Sequence, residues 1–268
     1  MVFNAIHWDF DPEIFSIFGH GVRYYGLMFA LSFIFGYIIM KQYFVHDKLQ
    51  ESLLEKLSMY VFVGTLIGAR LGHCLFYQPE YYLSQPWEIL FIWEGGLASH
   101  GASIGIPVAL YLYAKKINVP FLWIIDRVVI VVALAGFFVR MGNFFNSEIY
   151  GIATDLPWGV VFERTGETVP KHPTQFYEAL SYLLIFAILH PYFLKIRDKQ
   201  KNGQIFGIFL ILLFSARFFI EFIKEEQVKF EEGMALNMGQ WLSIPFILSG
   251  IGLLYYVNNK RKIKTKKA

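Results

Sequence analysis

The chain has 268 residues, of which 56% are hydrophobic, 19% aromatic and only 17% charged, with a formal net charge of +3. A mean hydropathy of +0.44 leaves more apolar surface than one water-soluble core can hide, so the composition excludes a soluble globule and points to a membrane protein. The single cysteine, Cys74, excludes a disulfide, a cysteine-rich metal site and paired thiol redox chemistry.

In chain order, residues 1–22 carry Asp9, Asp11 and Glu13 but no basic n-region, which predicts an outer interfacial arm rather than a signal peptide. Seven stretches then approach the roughly 20 residues needed to cross the hydrocarbon, at about 24–41, 57–77, 97–114, 121–142, 174–194, 204–222 and 239–257. Only a helix satisfies its own backbone in lipid over such lengths, and Pro107, Pro191 and Pro245 predict kinks rather than breaks. Between the second and third stretches, Tyr81, Tyr82, Trp87 and Trp93 predict an amphipathic segment in the headgroup layer. Between the fourth and fifth, at about 147–172, the run Val160-Val161-Phe162 followed by Thr165-Gly166 and Thr168-Val169 predicts a compact outer head built on a small hairpin. The fold expected is therefore an all-α polytopic membrane protein: an arm at 1–22, seven transmembrane helices within 23–258, and a basic tail at 259–268 that anchors the topology near anionic lipid.

Seven crossings place the two ends on opposite sides. One set of connections carries Lys41, Lys48, Lys56, Lys115, Lys116, Lys195, Arg197, Lys199 and Lys201, and the tail adds Lys260, Arg261, Lys262, Lys264, Lys266 and Lys267. The other set has only Arg23, Arg164, Lys171, Lys224 and Lys229, so the positive-inside rule predicts a cytoplasmic C-terminus and an outer N-terminus. With that orientation, nearly all of Tyr25, Arg70, His73, His100, Arg140, Asn143, Gln175, Glu178, Arg217, Glu221, Asn237 and Gln240 fall in the outer third of the membrane. Asp126 and Arg127 are the exception, at the cytoplasmic start of the fourth stretch, where an ion-paired or snorkelling structural role is expected.

Arginines inside apolar spans are expensive and mark function or pairing. Arg140 and Asn143 are three apart on one helical face, and a guanidinium beside a carboxamide suits a phosphodiester, the first giving forked charge-assisted bonds and the second neutral donors. Arg217 and Glu221, four apart, face the same way, which fits either mutual neutralisation or a shared site. His100 has the chemistry of a proton acceptor, and the glycines around it, Gly95, Gly96 and Gly101, allow close approach. No HExxH and no close carboxylate pair on a span suggests a metal, so neither metal nor cofactor is expected.

The string Arg140-Met141-Gly142-Asn143-Phe144-Phe145-Asn146-Ser147-Glu148-Ile149-Tyr150-Gly151 resembles the signature of the bacterial prolipoprotein diacylglyceryl transferases. The likeness extends along nearly the full length, through Tyr24-Tyr25-Gly26-Leu27-Met28, Gly68-Ala69-Arg70-Leu71-Gly72, Trp93-Glu94-Gly95-Gly96, Ser99-His100-Gly101, His172-Pro173-Thr174-Gln175-Phe176-Tyr177-Glu178, Arg217-Phe218-Phe219-Ile220-Glu221-Phe222 and Met238-Gly239-Gln240. Ala102 and Val139 depart from the glycines common there and leave the polar groups intact.

The resemblance implies transfer of the diacylglyceryl group of phosphatidylglycerol to the lipobox cysteine thiol of a prolipoprotein held by its signal peptide, forming a thioether and releasing glycerol phosphate. It implies a multi-pass protein of the bacterial inner membrane, with partners that are lipid and secreted protein and not nucleic acid. The catalytic set expected is His100, Arg140, Arg217 and Tyr25. Arg140, Asn143, Arg217 and Arg70 are expected at the lipid headgroup, with Glu148, Gly151, Glu221 and Asn146 in support and Glu148 and Glu221 steadying the arginines. The competing reading is an anionic-lipid transporter or flippase. It requires polar groups through both leaflets, whereas the expected inner half is nearly bare.

Overall fold

A computed structural model describes residues 5–17, 20–225 and 235–265. The start of the expected arm, Lys229, and Lys266 and Lys267 of the expected tail lie outside the described residues, as do the tail's side chains from Lys260 onward.

The element order is β1 (Ile6–Trp8), β2 (Glu13–Ile17), β3 (His20–Arg23), α1 (Tyr24–His46), α2 (Glu51–Phe76), α3 (Pro79–Ser84), α4 (Ser99–Lys116), α5 (Phe121–Phe145), β4 (Val160–Phe162), α6 (Thr174–Ile196), α7 (Gln204–Ile220) and α8 (Met238–Thr265). Among the described residues, six helices are long and apolar enough to cross a membrane: α1, α2, α5, α6, α7 with its short 3₁₀ extension, and α8. The third expected crossing is the 18-residue helix α4, which is not among them because Ser99, His100, Ser103, Lys115 and Lys116 dilute its apolar run. Pro107, Pro191 and Pro245 lie inside α4, α6 and α8 without ending them. Large apolar side chains such as Phe62, Leu184 and Leu248 point outward from these helices, the pattern of a lipid-facing surface rather than a wetted one.

The fold forms two compact units, Met1–Ile38 with Asp126–Ala268, and Ile39–Ile125. In the second, α2 packs on α4 along glycines that let the backbones touch. A Cβ on Gly68 would lie 2.5 Å from the carbonyl oxygen of Gly101, and one on Gly105 would lie 2.2 Å from that of Gly64. The buried Tyr113 hydroxyl donates to the Leu53 carbonyl at 2.8 Å and ties the far ends of the same pair.

In the first unit, α5, α6, α7 and α8 bury Ile130, Ala133, Ala179, Leu189, Phe193 and Ile205. The buried carboxylate of Asp126 accepts from the backbone amides of Gly203 at 2.6 Å and Phe206 at 2.8 Å, so α5 caps the start of α7. Gln200 adds a side-chain donor at 2.6 Å. Asp126 is thus a structural cap, as its position at the far end from the polar cluster suggests.

In the segment 147–172 the expected hairpin is reduced to a single antiparallel bridge, Val160 and Lys171 exchanging backbone hydrogen bonds at 3.0 and 2.9 Å. After β4 the chain tightens into a 3₁₀ turn, Glu163–Thr165, closed by Gly166 at φ 81°, and β4 takes its strand partner from far away. It pairs in parallel with β1, Ile6 opposite Val160 and Trp8 opposite Phe162, while β2 and β3 form an antiparallel hairpin in the N-terminal arm. A parallel partner more than 150 residues distant leaves no trace in local spacing. Within this region Lys171 meets Glu225 and Glu167 and lies over the Tyr150 ring. The hydrogen bond to Glu225, with its charge and that of Glu167, holds the ammonium above its ordinary range against the opposing effect of burial.

Candidate functional site

The first unit gathers most of the expected residues where α5 ends. A ring cluster of Trp8, Phe10, Tyr24, Phe144 and Phe145, with centroids 4.5–6.3 Å apart, seats the N-terminal arm and the start of α1 on that end. Tyr25 then lies against Gly142, where a Cβ would come within 2.8 Å of its ring, and its phenol feels the charges of Glu148 and Arg140.

Arg140 lies one turn from the end of α5. Its Nε is 2.8 Å from Glu178 Oε2, a charge contact without an aligned N–H, and its Nη1 donates to Asn143 Oδ1 at 3.4 Å. Asn143 and Asn146 donate their amides to the two oxygens of Glu148, at 3.1 and 3.0 Å. Glu148 therefore steadies the two asparagines, and Glu178, from the start of α6, holds Arg140. The expectation that Glu148 acts on an arginine is corrected here, because the turn that ends α5 brings Glu148 back over its own helix.

That turn is strained. Ser147 and Ile149 both adopt left-handed backbone, at φ 56° and 61°, and for a β-branched isoleucine this is costly, about 1–3 kcal/mol. Two buried residues of α6 fix it in place. Thr174 donates its hydroxyl to the Ile149 carbonyl at 2.8 Å, and Gln175 its amide to the Glu148 carbonyl at 3.0 Å.

Gly151 follows as a contact point. Its amide donates to the His172 carbonyl at 2.8 Å, the Ile152 amide donates to Ile223 at 3.0 Å, and a Cβ on Gly151 would sit 2.1 Å from that Ile223 oxygen. Only glycine lets the strand after the turn run this close to the chain leaving α7. The approach fixes Lys224, whose buried ammonium donates to Glu178 Oε1 at 3.3 Å and lies 3.8 Å from Glu221 Oε2. Arg140, Glu178, Lys224 and Glu221 thus form one alternating line of charge.

Arg217 is one turn before Glu221, yet the two do not pair. After Ile220 the chain tightens into a 3₁₀ turn, and the Glu221 carboxylate lies over Gly239 beside Lys224. The expectation that Glu221 steadies Arg217 is therefore corrected. Among the described residues the Arg217 guanidinium has no ion pair or hydrogen bond, and the Arg140 Nη2 has no acceptor.

Arg70 and His100 belong to the other unit. Arg70, 3% exposed, donates from Nε to Ile89 at 3.0 Å, from Nη1 to Gly95 at 2.6 Å and from Nη2 to Glu88 at 2.6 Å, all backbone carbonyls, and stacks over Tyr82 at 5.1 Å. Its fork holds the interfacial connection in place, which corrects its expected placement at a phosphate. Gly96, at φ 70°, has no room for a Cβ beside His73 and the Arg70 Nη1. His100 is exposed on the first turn of α4, edge-on to Phe76 at 5.2 Å.

Gln175 and Glu178 stood in the outer polar cluster read from sequence without a role in the site, and Lys224 stood outside that cluster. Gln175 and Glu178 were legible as two polar residues three apart at the start of an apolar helix. Lys224 read only as a charge between helices, because its burial comes from the close approach at Gly151.

The model of the family described as prolipoprotein diacylglyceryl transferase matches residues 12–256. Similar proteins named phosphatidylglycerol--prolipoprotein diacylglyceryl transferase include that of Tolumonas auensis, 48% identical over 93% of this chain and 96% of its own length. That of Porphyromonas gingivalis is 47% identical over 93% of each chain, and one from Bacteroides fragilis is 41% identical over 97% of this chain and 98% of its own. With the match spanning all the major helices and the charged line at the end of α5, the chain belongs to the prolipoprotein diacylglyceryl transferase family.

Proposed function

We propose that this membrane protein moves the diacylglyceryl group of phosphatidylglycerol onto a prolipoprotein, the activity named for its full-length relatives. The acceptor is the lipobox cysteine thiol of a substrate held in the bacterial inner membrane by its signal peptide. Sulfur attacks the glyceryl carbon, the carbon–oxygen bond to phosphate breaks, and glycerol phosphate leaves with the bonding electron pair. The active site lies in the outer-leaflet half of a seven-crossing bundle, with α4 as the crossing of marginal length, the N-terminus outside and the C-terminal tail in the cytoplasm.

One observation carries the reading of the site. The Arg140 Nη2 and the whole Arg217 guanidinium have no protein acceptor among the described residues, although both arginines stand on apolar helices. Donors of this kind suit a phosphate that gains a second charge as it departs, and their effect is large where water is scarce. Asn143 orients the headgroup, and Tyr25 adds a hydroxyl beside it. His100 serves as proton acceptor for the thiol, whose ordinary pKa near 8.5 leaves it mostly protonated at neutral pH.

The test is reconstitution with phosphatidylglycerol and a lipobox peptide. Glycerol phosphate release matched one-for-one by a peptide mass increase supports the reaction, and its loss in Arg140→Ala and Arg217→Ala supports the roles given to the arginines. Wild-type protein that scrambles lipid without modifying peptide overturns the reaction. Full activity in both variants overturns the site.

A further inference from the structure

Three buried oxygens in the unit that holds Arg140 receive no hydrogen bond, and one of them, Glu178 Oε2, stands in ion contact with that arginine. Gln175, Glu178 and Glu221 are 0%, 4% and 8% exposed, and Gln175 Oε1, Glu178 Oε2 and Glu221 Oε2 have no hydrogen-bond donor among the described residues. Arg140 Nε stands 2.8 Å from Glu178 Oε2 without aiming its hydrogen there, and Lys224 Nζ at 3.8 Å from Glu221 Oε2 is beyond hydrogen-bond reach. Acceptors shut away from water are normally paired, and two of these belong to carboxylates of the charged line, which calls for a ligand rich in donors.

The surplus has a definite geometry. Lys224 holds the two carboxylates close together, at 3.3 Å from Glu178 Oε1 and 3.8 Å from Glu221 Oε2, which leaves Glu178 Oε2 and Glu221 Oε2 as the oxygens one small headgroup can meet. Glu178 also adjoins Arg140, so a phosphate on that arginine would hold its alcohol substituent against the acidic wall. Gly239 makes room for this arrangement, since a Cβ there would come within 2.4 Å of the Glu221 carboxylate.

We infer that Glu178 and Glu221 read the free hydroxyls of the glycerol headgroup and are specificity-determining residues for phosphatidylglycerol; this rests on the transferase reading above. A neutral polyol brings O–H donors to charged acceptors. An ammonium headgroup meets Lys224 already standing between the two carboxylates, and a second anion is repelled by both. The same carboxylates that attract hydroxyls thus exclude other charged headgroups.

The experiment uses the full-length protein in liposomes with a lipobox peptide and one of two donor lipids. These are phosphatidylglycerol and phosphatidyl-n-propanol, which have the same charge and backbone, the second without headgroup hydroxyls. The readout is the ratio of kcat/KM for the two lipids, which general damage to the fold leaves unchanged. Wild type is expected to prefer phosphatidylglycerol by on the order of a hundredfold, and Glu221→Gln to cut that preference by about tenfold, the value of one charge-assisted hydrogen bond. Glu221→Asp, which keeps the charge but withdraws it, is expected to fall between them. Wild type that uses both lipids equally overturns the inference while leaving the transferase reading intact, a result that needs no variant to fold. An unchanged ratio in Glu221→Gln also overturns it. Wild type that modifies the peptide from neither lipid overturns the transferase reading instead.

Discussion

Replacing Gly151 with alanine tests how the turn after α5 is coupled to the charged line. The added Cβ would meet the Ile223 carbonyl oxygen at 2.1 Å, Thr174 Cγ2 at 2.6 Å and His172 Cβ at 2.9 Å, so backbone must move by about 1 Å to restore ordinary contact. Overpacking of this kind costs about 1–3 kcal/mol, and loss of the Ile152 to Ile223 hydrogen bond adds about 1 kcal/mol. The combined destabilisation, roughly 2–4 kcal/mol, lowers the unfolding midpoint by on the order of 5–15 °C. Activity should fall further than stability. Ile223 immediately precedes Lys224, and an error of about 1 Å in a positioned group can cost on the order of a hundredfold in rate. The control is Gly166→Ala, where φ is 81° but a Cβ meets nothing within 4 Å, so the cost is backbone strain alone, about 1 kcal/mol. The assay pairs thermal unfolding in detergent with glycerol phosphate release in liposomes. A Gly151→Ala protein with wild-type rate, or one no more damaged than Gly166→Ala, would refute the coupling.

Arg70→Ala leaves three backbone carbonyls without their donor, at about 1–3 kcal/mol for each that stays buried, and Arg70→Lys should not restore them because an ammonium lacks the planar fork. Faster hydrogen exchange across residues 86–96 in both variants is the expected readout. Asp126→Ala uncaps α7 and should destabilise the protein by about 1–2 kcal/mol, visible as a lower unfolding midpoint, whereas Asp126→Asn should lose less because its amide oxygen still accepts. Burial holds the His172 imidazole below its ordinary value of 6.5, and its Nδ1 lies 3.3 Å from the Tyr177 hydroxyl, which accepts from Trp158 at 2.8 Å. The neutral form is therefore favoured on folding, so this contribution to stability is complete above pH 6.5 and is lost as the pH falls toward the lowered folded value. Protection factors at the amides of Lys171 and His172, corrected for the intrinsic slowing of exchange in acid, should fall on acidification in wild type and fall less in His172→Gln.

Sequence alone determined the solvent and the inventory. The apolar runs forced helices because lipid offers the backbone no other partner, and α1, α2, α5, α6, α7 and α8 stand where those runs lie. The pairing of Arg140 with Asn143 was legible from their spacing on one helical face, as was the structural character of Asp126 from its distance along the chain. Tertiary structure decided which charge answers which. Arg70 looked like a phosphate ligand until its donors were seen to meet three carbonyls, and Glu221 looked like the partner of Arg217 until a 3₁₀ turn set it beside Lys224. The parallel pair β1–β4, the approach of Gly151 to Ile223 and the burial of Lys224 each join residues far apart in the chain. Helical spacing is a local property and survives in sequence, whereas the choice among several carboxylates for one cation depends on loop paths and close backbone contacts that form only when the chain packs.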